Sequence, residues 1–158
     1  MSHANHTLAT WKKLSAYPGG RWLFSRVVGR SAPYFATIKP RIQVLERGLC
    51  QVWIKNRRKV HNHIGTVHAI AICNMAELAA GVMIEATLPP SHRWIPKGMQ
   101  VEYLKKAATH LTARAELDPV PAFGEEGQEL PIPVSVVDEA GEEVVRATIN
   151  MWVTPRKN

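Results

Sequence analysis

Residues 62–77, NHIGTVHAIAICNMAE, set two amides, two imidazoles and one carboxylate against an apolar run. From Asn74 onward, Asn74, Glu77, Gly81 and Glu85 recur at spacings of three, four and four. On a helix those positions lie along one stripe of an otherwise apolar cylinder. The plain reading of the stripe is a solvated or subunit-facing edge with Glu77 held in an ion pair. Gly81 costs a helix interior about 1 kcal/mol relative to Ala, so a ligand or another backbone is expected to approach there. Asn74 and Gly81 are therefore candidates for substrate contact.

His68 stands nine residues before Glu77. At 100° per residue the two fall on opposite helix faces, about 13 Å apart along the axis, so they cannot serve one site within one subunit. Two copies related by a twofold axis could each lend a helix start to the other's carboxylate. The helix start carries unpaired N–H groups and the positive end of the dipole, so Val67 to Ile70 offer donors to an anionic oxygen. A carbonyl oxygen placed there would gain charge during acyl transfer, and each preorganised donor is worth about 3 kcal/mol. Asn62, in the loop before the helix, could hold an attacking water or the substrate.

These residues need a frame. Apolar density from Val67 to Thr87, closed by Pro89 and Pro90, predicts one long helix. Arg41–Leu45 and Leu49–Lys55 read as strands around a turn at Arg47 and Gly48, and Met99–Leu104, His110–Leu117, Ile132–Val137 and Val144–Val153 alternate like strands. In the fourth of these six, Leu111, Ala113, Ala115 and Leu117 face one side. Residues 7–37 read as short amphipathic helices broken at Pro18, Gly19 and Gly20, with Trp11, Leu14, Trp22, Val27 and Val28 inward. The order predicts an α+β domain in which a curved, mainly antiparallel sheet wraps one buried helix. Residues 1–38 are expected to be a helical extension packed on a single domain, 39–158.

Composition narrows the classes. The chain has 158 residues, 46% hydrophobic and 21% charged, which fits one globular domain and excludes disordered or fibrous classes. Cys50 and Cys73 are the only cysteines and carry no metal-ligand spacing, so neither a disulfide scaffold nor a zinc site is expected and a reducing, cytoplasmic setting is the default. The run from Val67 to Leu88 is apolar, but His68, Asn74, Glu77 and Glu85 interrupt it, which favours burial in protein over lipid. Most of the net charge of +7 comes from residues 12–39, ahead of the first acid, Glu46. Four readings compete for that basic stretch: a solvated face, attraction for acidic ligands, peripheral membrane contact, or an organelle transit peptide. Nucleic acid is not an expected partner, because no helix-turn-helix, zinc or RNA-reading aromatic signature accompanies the charge.

Asn62, five residues, His68, a small residue, seven residues and Glu77 resemble the Asn…His-Gly…Asp/Glu pattern of hotdog-fold acyl-CoA thioesterases of the phenylacetyl-CoA type. The resemblance covers about Arg41 to Val153, and YPGGRWLFSR with SAPYF is similar to an uncharacterised branch of them whose substrate is unknown. It implies a hotdog fold and thioester hydrolysis without metal or other cofactor in a homodimer or homotetramer. Glu77 would act as base or nucleophile, the Ala69 N–H would polarise the carbonyl, and His68 and Asn62 would position carbonyl and water. Ala69 stands where the family often has Gly. Ile95, Pro96 and Lys97 stand where many members carry a helping Ser or Thr. For the phosphates of coenzyme A or a carrier, the cationic candidates are Arg57, Arg58, Lys59, Lys105, Lys106 and Arg114. Two alternatives share the fold. One is a non-catalytic acyl-binding protein; the other is a hydroxyacyl thioester dehydratase, because the separation of His63 from Glu77 resembles the His and acidic pair of those enzymes. Met75, Met83 and Ile84 suit an apolar acyl chain.

Overall fold

Alternating apolar and polar residues build the sheet. In the computed structural model, which describes residues 5–157, six strands form it: β1 (Arg41–Glu46), β2 (Leu49–Ile54), β3 (His92–Tyr103), β4 (Leu111–Glu116), β5 (Gln128–Val137) and β6 (Glu143–Pro155). They lie in the order β1-β2-β4-β5-β6-β3, each neighbouring pair antiparallel. Cys50, Val52 and Ile54 of β2, Leu111, Ala113 and Ala115 of β4, and Leu130, Ile132, Val134 and Val136 of β5 all point to one buried face. That face closes round a long helix, Ala69–Thr87, which contacts all six strands.

This helix is the third of the chain, after α1 (His6–Ser15) and α2 (Gly20–Ser31), and is called α3. By length and composition it could cross a membrane, but 67% of its apolar window is buried within the protein, so the sheet takes the place lipid would have. Ala76, Ala79, Ala80 and Ala86 let the strands approach closely, while Met75, Leu78, Met83 and Ile84 fill the space between. Truncating any of these four to Ala would cost about 2–5 kcal/mol.

The turn between β1 and β2 is tied to the end of α3. Gly48 has φ +81°, and a Cβ there would fall 2.6 Å from the Leu117 carbonyl oxygen, so only glycine fits. Its N–H donates to Thr87 Oγ1 at 2.9 Å, and the Thr87 hydroxyl donates to the Met83 carbonyl at 2.6 Å.

The N-terminal segment folds as two helices separated by residues 16–19, which include Pro18 and Gly19, while Gly20, expected in the break, opens α2. Trp11 and Phe24 bury edge to face, centroids 5.2 Å apart. The inward face of α2 differs from the sequence expectation. Gly20, Phe24, Ser25 and Gly29 are buried, whereas Trp22 and Val27 are 56% and 47% exposed. The helix phase is set by its small residues: Gly29 lets the 3-10 turn Pro33–Ile38 approach to within 3.2 Å of where a Cβ would stand. Asn5 joins the two ends of this assembly. Its Oδ1 accepts from Leu8 N–H at the start of α1, and its Nδ2 donates to the Glu85 and Leu88 carbonyls at the end of α3.

Three boundaries depart from the sequence reading. β3 starts at His92 rather than Met99, with a register shift at Pro96–Gly98 that absorbs the proline. β5 starts at Gln128 and includes Pro131 and Pro133; β4 pairs only with its 134–137 end, so the missing proline N–H groups have no strand to serve. Val67 is not helical: its N–H donates to the Ala107 carbonyl.

Candidate active site

The segment before α3 is shaped by its own polar groups. Asn62 Oδ1 accepts from the N–H groups of Ile64 and Thr66, both at 3.1 Å, and its Nδ2 donates to Thr66 Oγ1 at 2.8 Å. The amide that was expected to face water or substrate is spent on its own turn, which Gly65 completes with φ +80°. His61 bonds Asn56, whose N–H and Nδ2 reach His110 Nδ1 and the Ala108 carbonyl. His63 lies exposed in the loop, outside this network.

The chain then enters α3 through His68. The backbone N–H of His68 donates to Val60 and that of Val67 to Ala107, so two of the four donors expected at the helix start are used. A third, on Ile70, is used as well: His68 is the N-cap, and its Nδ1 accepts from Ile70 N–H at 3.0 Å. Because Nδ1 accepts, a neutral His68 carries its proton on Nε2. Ala69, at the first helical position, is left with an N–H that has no acceptor among the described residues. This end of the helix can polarise an anionic oxygen through that group.

Glu77 lies two turns further on, half-buried. No ion pair among the described residues includes it, so the plain reading of a structural pair is not what holds it. Ile70, Cys73 and Glu77 share a helix face, and the Tyr103 hydroxyl of β3 lies 3.4 Å from Cys73 Sγ. That hydrogen bond, with burial as the second cause, pushes the Tyr103 phenol up to about 12. Tyr103 and Cys73 had no role in the sequence reading. They mark where β3 borders the Glu77 face. β3 is an edge strand with β6 as its sole neighbour, and it presents Ile95, Met99 and Tyr103 as exposed apolar groups, with Leu104 just beyond and Ile70 across from them on α3.

The rest of the polar stripe is covered from within the chain. Asn74 is buried under the 3-10 turn, its Nδ2 donating to the Tyr34 carbonyl and Thr37 Oγ1 at 3.4 Å, and its Oδ1 unpartnered. Gly81 is approached by the Trp94 ring, whose Cη2 would lie 3.0 Å from an added Cβ. Trp94 Nε1 donates to Glu85 at 2.6 Å, so the indole explains both the glycine and the last carboxylate of the stripe. Asn74 and Gly81 are both buried within the described residues.

The cationic candidates divide. Lys105 pairs with Glu142, and Arg114 is held by both carboxylate oxygens of Glu116; the guanidinium holds the Glu116 carboxyl below its usual range. Arg58, Lys59 and Lys106 are exposed and outside every ion pair of the described residues. Lys106 adjoins Ala107, whose carbonyl receives the Val67 N–H, so it stands beside the start of α3. Arg57 donates from Nη2 to the Thr37 carbonyl at 2.8 Å, with its Nε buried and unpartnered.

A family model described as a domain of unknown function, DUF4442, matches residues 20–153. A structural-genomics crystal structure, APC5556, is 41% identical, with a TM-score of 0.82, over 95% of this chain and 99% of that one. PA5026 of Pseudomonas aeruginosa, a protein of unknown function described as a probable thioesterase, is 21% identical with a TM-score of 0.75 over 84% and 93% of the two chains. A thioesterase family protein of Silicibacter pomeroyi is 18% identical with a TM-score of 0.69 over 84% and 96%. The two distant likenesses speak for the fold alone, and the fold is the hotdog fold. No curated protein matches the chain.

Proposed function

Because the chain belongs to the DUF4442 family and has the hotdog fold, we propose that it hydrolyses an acyl thioester of coenzyme A or of a carrier protein, at sites shared between subunits of a homodimer or homotetramer. The observation that carries this reading is Glu77, a half-buried carboxylate with no ion-pair partner on the helix face that borders the unpaired edge of β3. An exposed apolar edge strand is a template for pairing with a second copy. Such pairing would bring each Glu77 toward the other subunit's helix start, where the Ala69 N–H is free.

In the proposed reaction the thioester carbonyl oxygen accepts from the Ala69 N–H. Glu77 of the facing subunit takes a proton from water as the water oxygen bonds to the carbonyl carbon. The tetrahedral intermediate collapses, the C–S bond breaks, and the thiolate leaves with the proton that Glu77 returns. A direct attack by the Glu77 carboxylate, followed by hydrolysis of the anhydride, balances equally well; solvent oxygen-18 distinguishes the two in a single turnover. His68 acts by capping the helix and Asn62 by shaping the loop. Arg58, Lys59 and Lys106, exposed and outside the ion pairs of the described residues, are offered for substrate phosphates. We assign residues 1–38 to an extension of the hotdog domain 39–158, and a cytoplasmic setting suits two free cysteines.

The test is thiol release from short, medium, long and aromatic acyl-CoAs by the wild type and by Glu77→Gln. The variant is expected to lose about a hundredfold to ten-thousandfold in rate with its thermal transition unchanged. Full activity of Glu77→Gln would sink the proposal. Binding of acyl-CoA without thiol release would favour an acyl-binding module, and loss of water with the thioester intact would favour the dehydratase reading.

A further inference from the structure

A groove of about 680 Å³ opens between α2, the 3-10 turn and the first two strands. Six cations line it: Arg26, Arg30, Lys39, Arg41, Lys55 and Arg57. No acidic residue lines it, and none of the six takes part in an ion pair among the described residues. Cations on a merely solvated face spread apart over convex surface. Here they converge on a concavity, where their mutual repulsion is greatest and an anion is most strongly attracted.

The groove has planar and apolar walls as well. Trp22 and Trp53 line it, each with a guanidinium over its ring: Arg26 over Trp22 at 5.6 Å and Arg41 over Trp53 at 5.1 Å. Trp22, Leu23 and Val27 are the α2 side chains that were expected inside or left without a partner, and all three border this space. The frame is fixed in advance. Ser25 Oγ accepts the Ile42 N–H at 2.8 Å and donates to the Arg21 carbonyl at 2.8 Å, locking α2 to β1, and Arg57 is pinned to the Thr37 carbonyl.

We infer that this groove is a binding site, separate from the thioester site, for a soluble ligand that joins two or more phosphates to a planar ring. Cations are matched by clustered phosphate oxygens, and the tryptophans by a ring that stacks. The volume lies within the range of small-molecule sites, and the concave shape favours a soluble ligand over a flat bilayer. None of Asn62, His68, Ala69 and Glu77 lines the groove, and β1 lies at the opposite sheet edge from β3. Arg57, one of the cations offered for the thioester's phosphates, does line it, so thiol-release kinetics must separate the two sites.

The test is calorimetric and fluorescence titration of the full chain with ADP, inorganic pyrophosphate and adenosine, beside sedimentation with phosphatidylcholine vesicles with and without phosphatidylglycerol. ADP is expected to bind at least about tenfold more tightly than adenosine, to quench tryptophan emission, and to weaken as salt is raised. The double variant Arg26→Gln/Arg30→Gln and the single variant Arg41→Gln should each lose about tenfold in affinity. Trp53→Leu should weaken ADP but not pyrophosphate, and Lys97→Gln, at the far edge, should change nothing. Equal binding of ADP and adenosine, undiminished affinity in the correctly folded arginine variants, or binding confined to anionic vesicles would each overturn the inference. So would a raised KM for thiol release in Arg26→Gln/Arg30→Gln, which would place the groove on the substrate path.

Discussion

His68 makes two different predictions depending on whether it caps a helix or touches a substrate. Its Nδ1 accepts the Ile70 N–H at 3.0 Å from an exposed position, with no other bond to explain it. His68→Ala removes that acceptor, and loss of an N-cap costs about 1 kcal/mol, within a range of about 0.5–2. In a domain of this size each kcal/mol moves the thermal midpoint by about 2–4 °C, so the fall should be about 3 °C. His68→Asn supplies a carbonyl oxygen at a position where Asn is among the best caps, so its midpoint should match the wild type to within about 0.5 kcal/mol. Thiol release should follow the same order: near wild type for Asn, and about tenfold lower for Ala, whose loosened first turn no longer aims the Ala69 N–H. Scanning calorimetry and a thiol-release assay on the same preparations decide it. If Asn melts no higher than Ala, the cap is not what the residue contributes. If Asn restores the midpoint but stays as inactive as Ala, the ring meets the substrate and the capping role is refuted.

Thr87→Val leaves the buried Gly48 N–H without its acceptor and should cost about 1–3 kcal/mol, whereas Thr87→Ser keeps the hydroxyl and should cost less; urea midpoints compare the two. Tyr103 should ionise at about pH 12 in an ultraviolet titration, and Cys73→Ala should bring it down. Its pKa is raised on folding, so its share of stability is present below the unfolded value of 10.0 and is lost as pH rises through about 12. Cys50 is fully buried with its thiol pushed far up by desolvation, and Cys73 is half-buried. Under native conditions an alkylating reagent should modify Cys73 first and Cys50 only on unfolding, as peptide mass mapping would show.

Much of the frame could be read without coordinates because it repeats. Period two in Leu111–Ala115 and apolar density in 69–87 each depend on a local pattern that many residues share. The misreadings fall where one distant side chain decides the outcome. Gly81 reads as a place where a ligand or another backbone approaches, whereas the group next to it is the Trp94 side chain, brought there by β3 folding over α3. Asn62 and His68 are the right types for positioning a substrate and also for a turn and an N-cap, and spacing cannot separate those uses. Trp22 reads as core by its type, while the phase of α2 is set by Gly20 and Gly29. The Ala69 N–H and the Glu77 carboxylate have no side-chain partner among the described residues, so the role proposed for them rests on assays rather than on the fold.

Asn5 gives the molecule an order of assembly. Its amide closes on the Leu88 carbonyl, 83 residues later in the chain. During synthesis α1 is made before α3, so its anchor does not exist until the end of α3 has been made. β3 waits longer still, since His92 pairs with Pro155 of β6. Until the end of α3 is made α1 has nothing there to dock on, and β6, made after the other five strands, joins β5 to β3 and completes the sheet. Native-state hydrogen exchange should carry the trace of that order, with α1 opening as the least protected helix while the centre of α3 opens only with the whole domain.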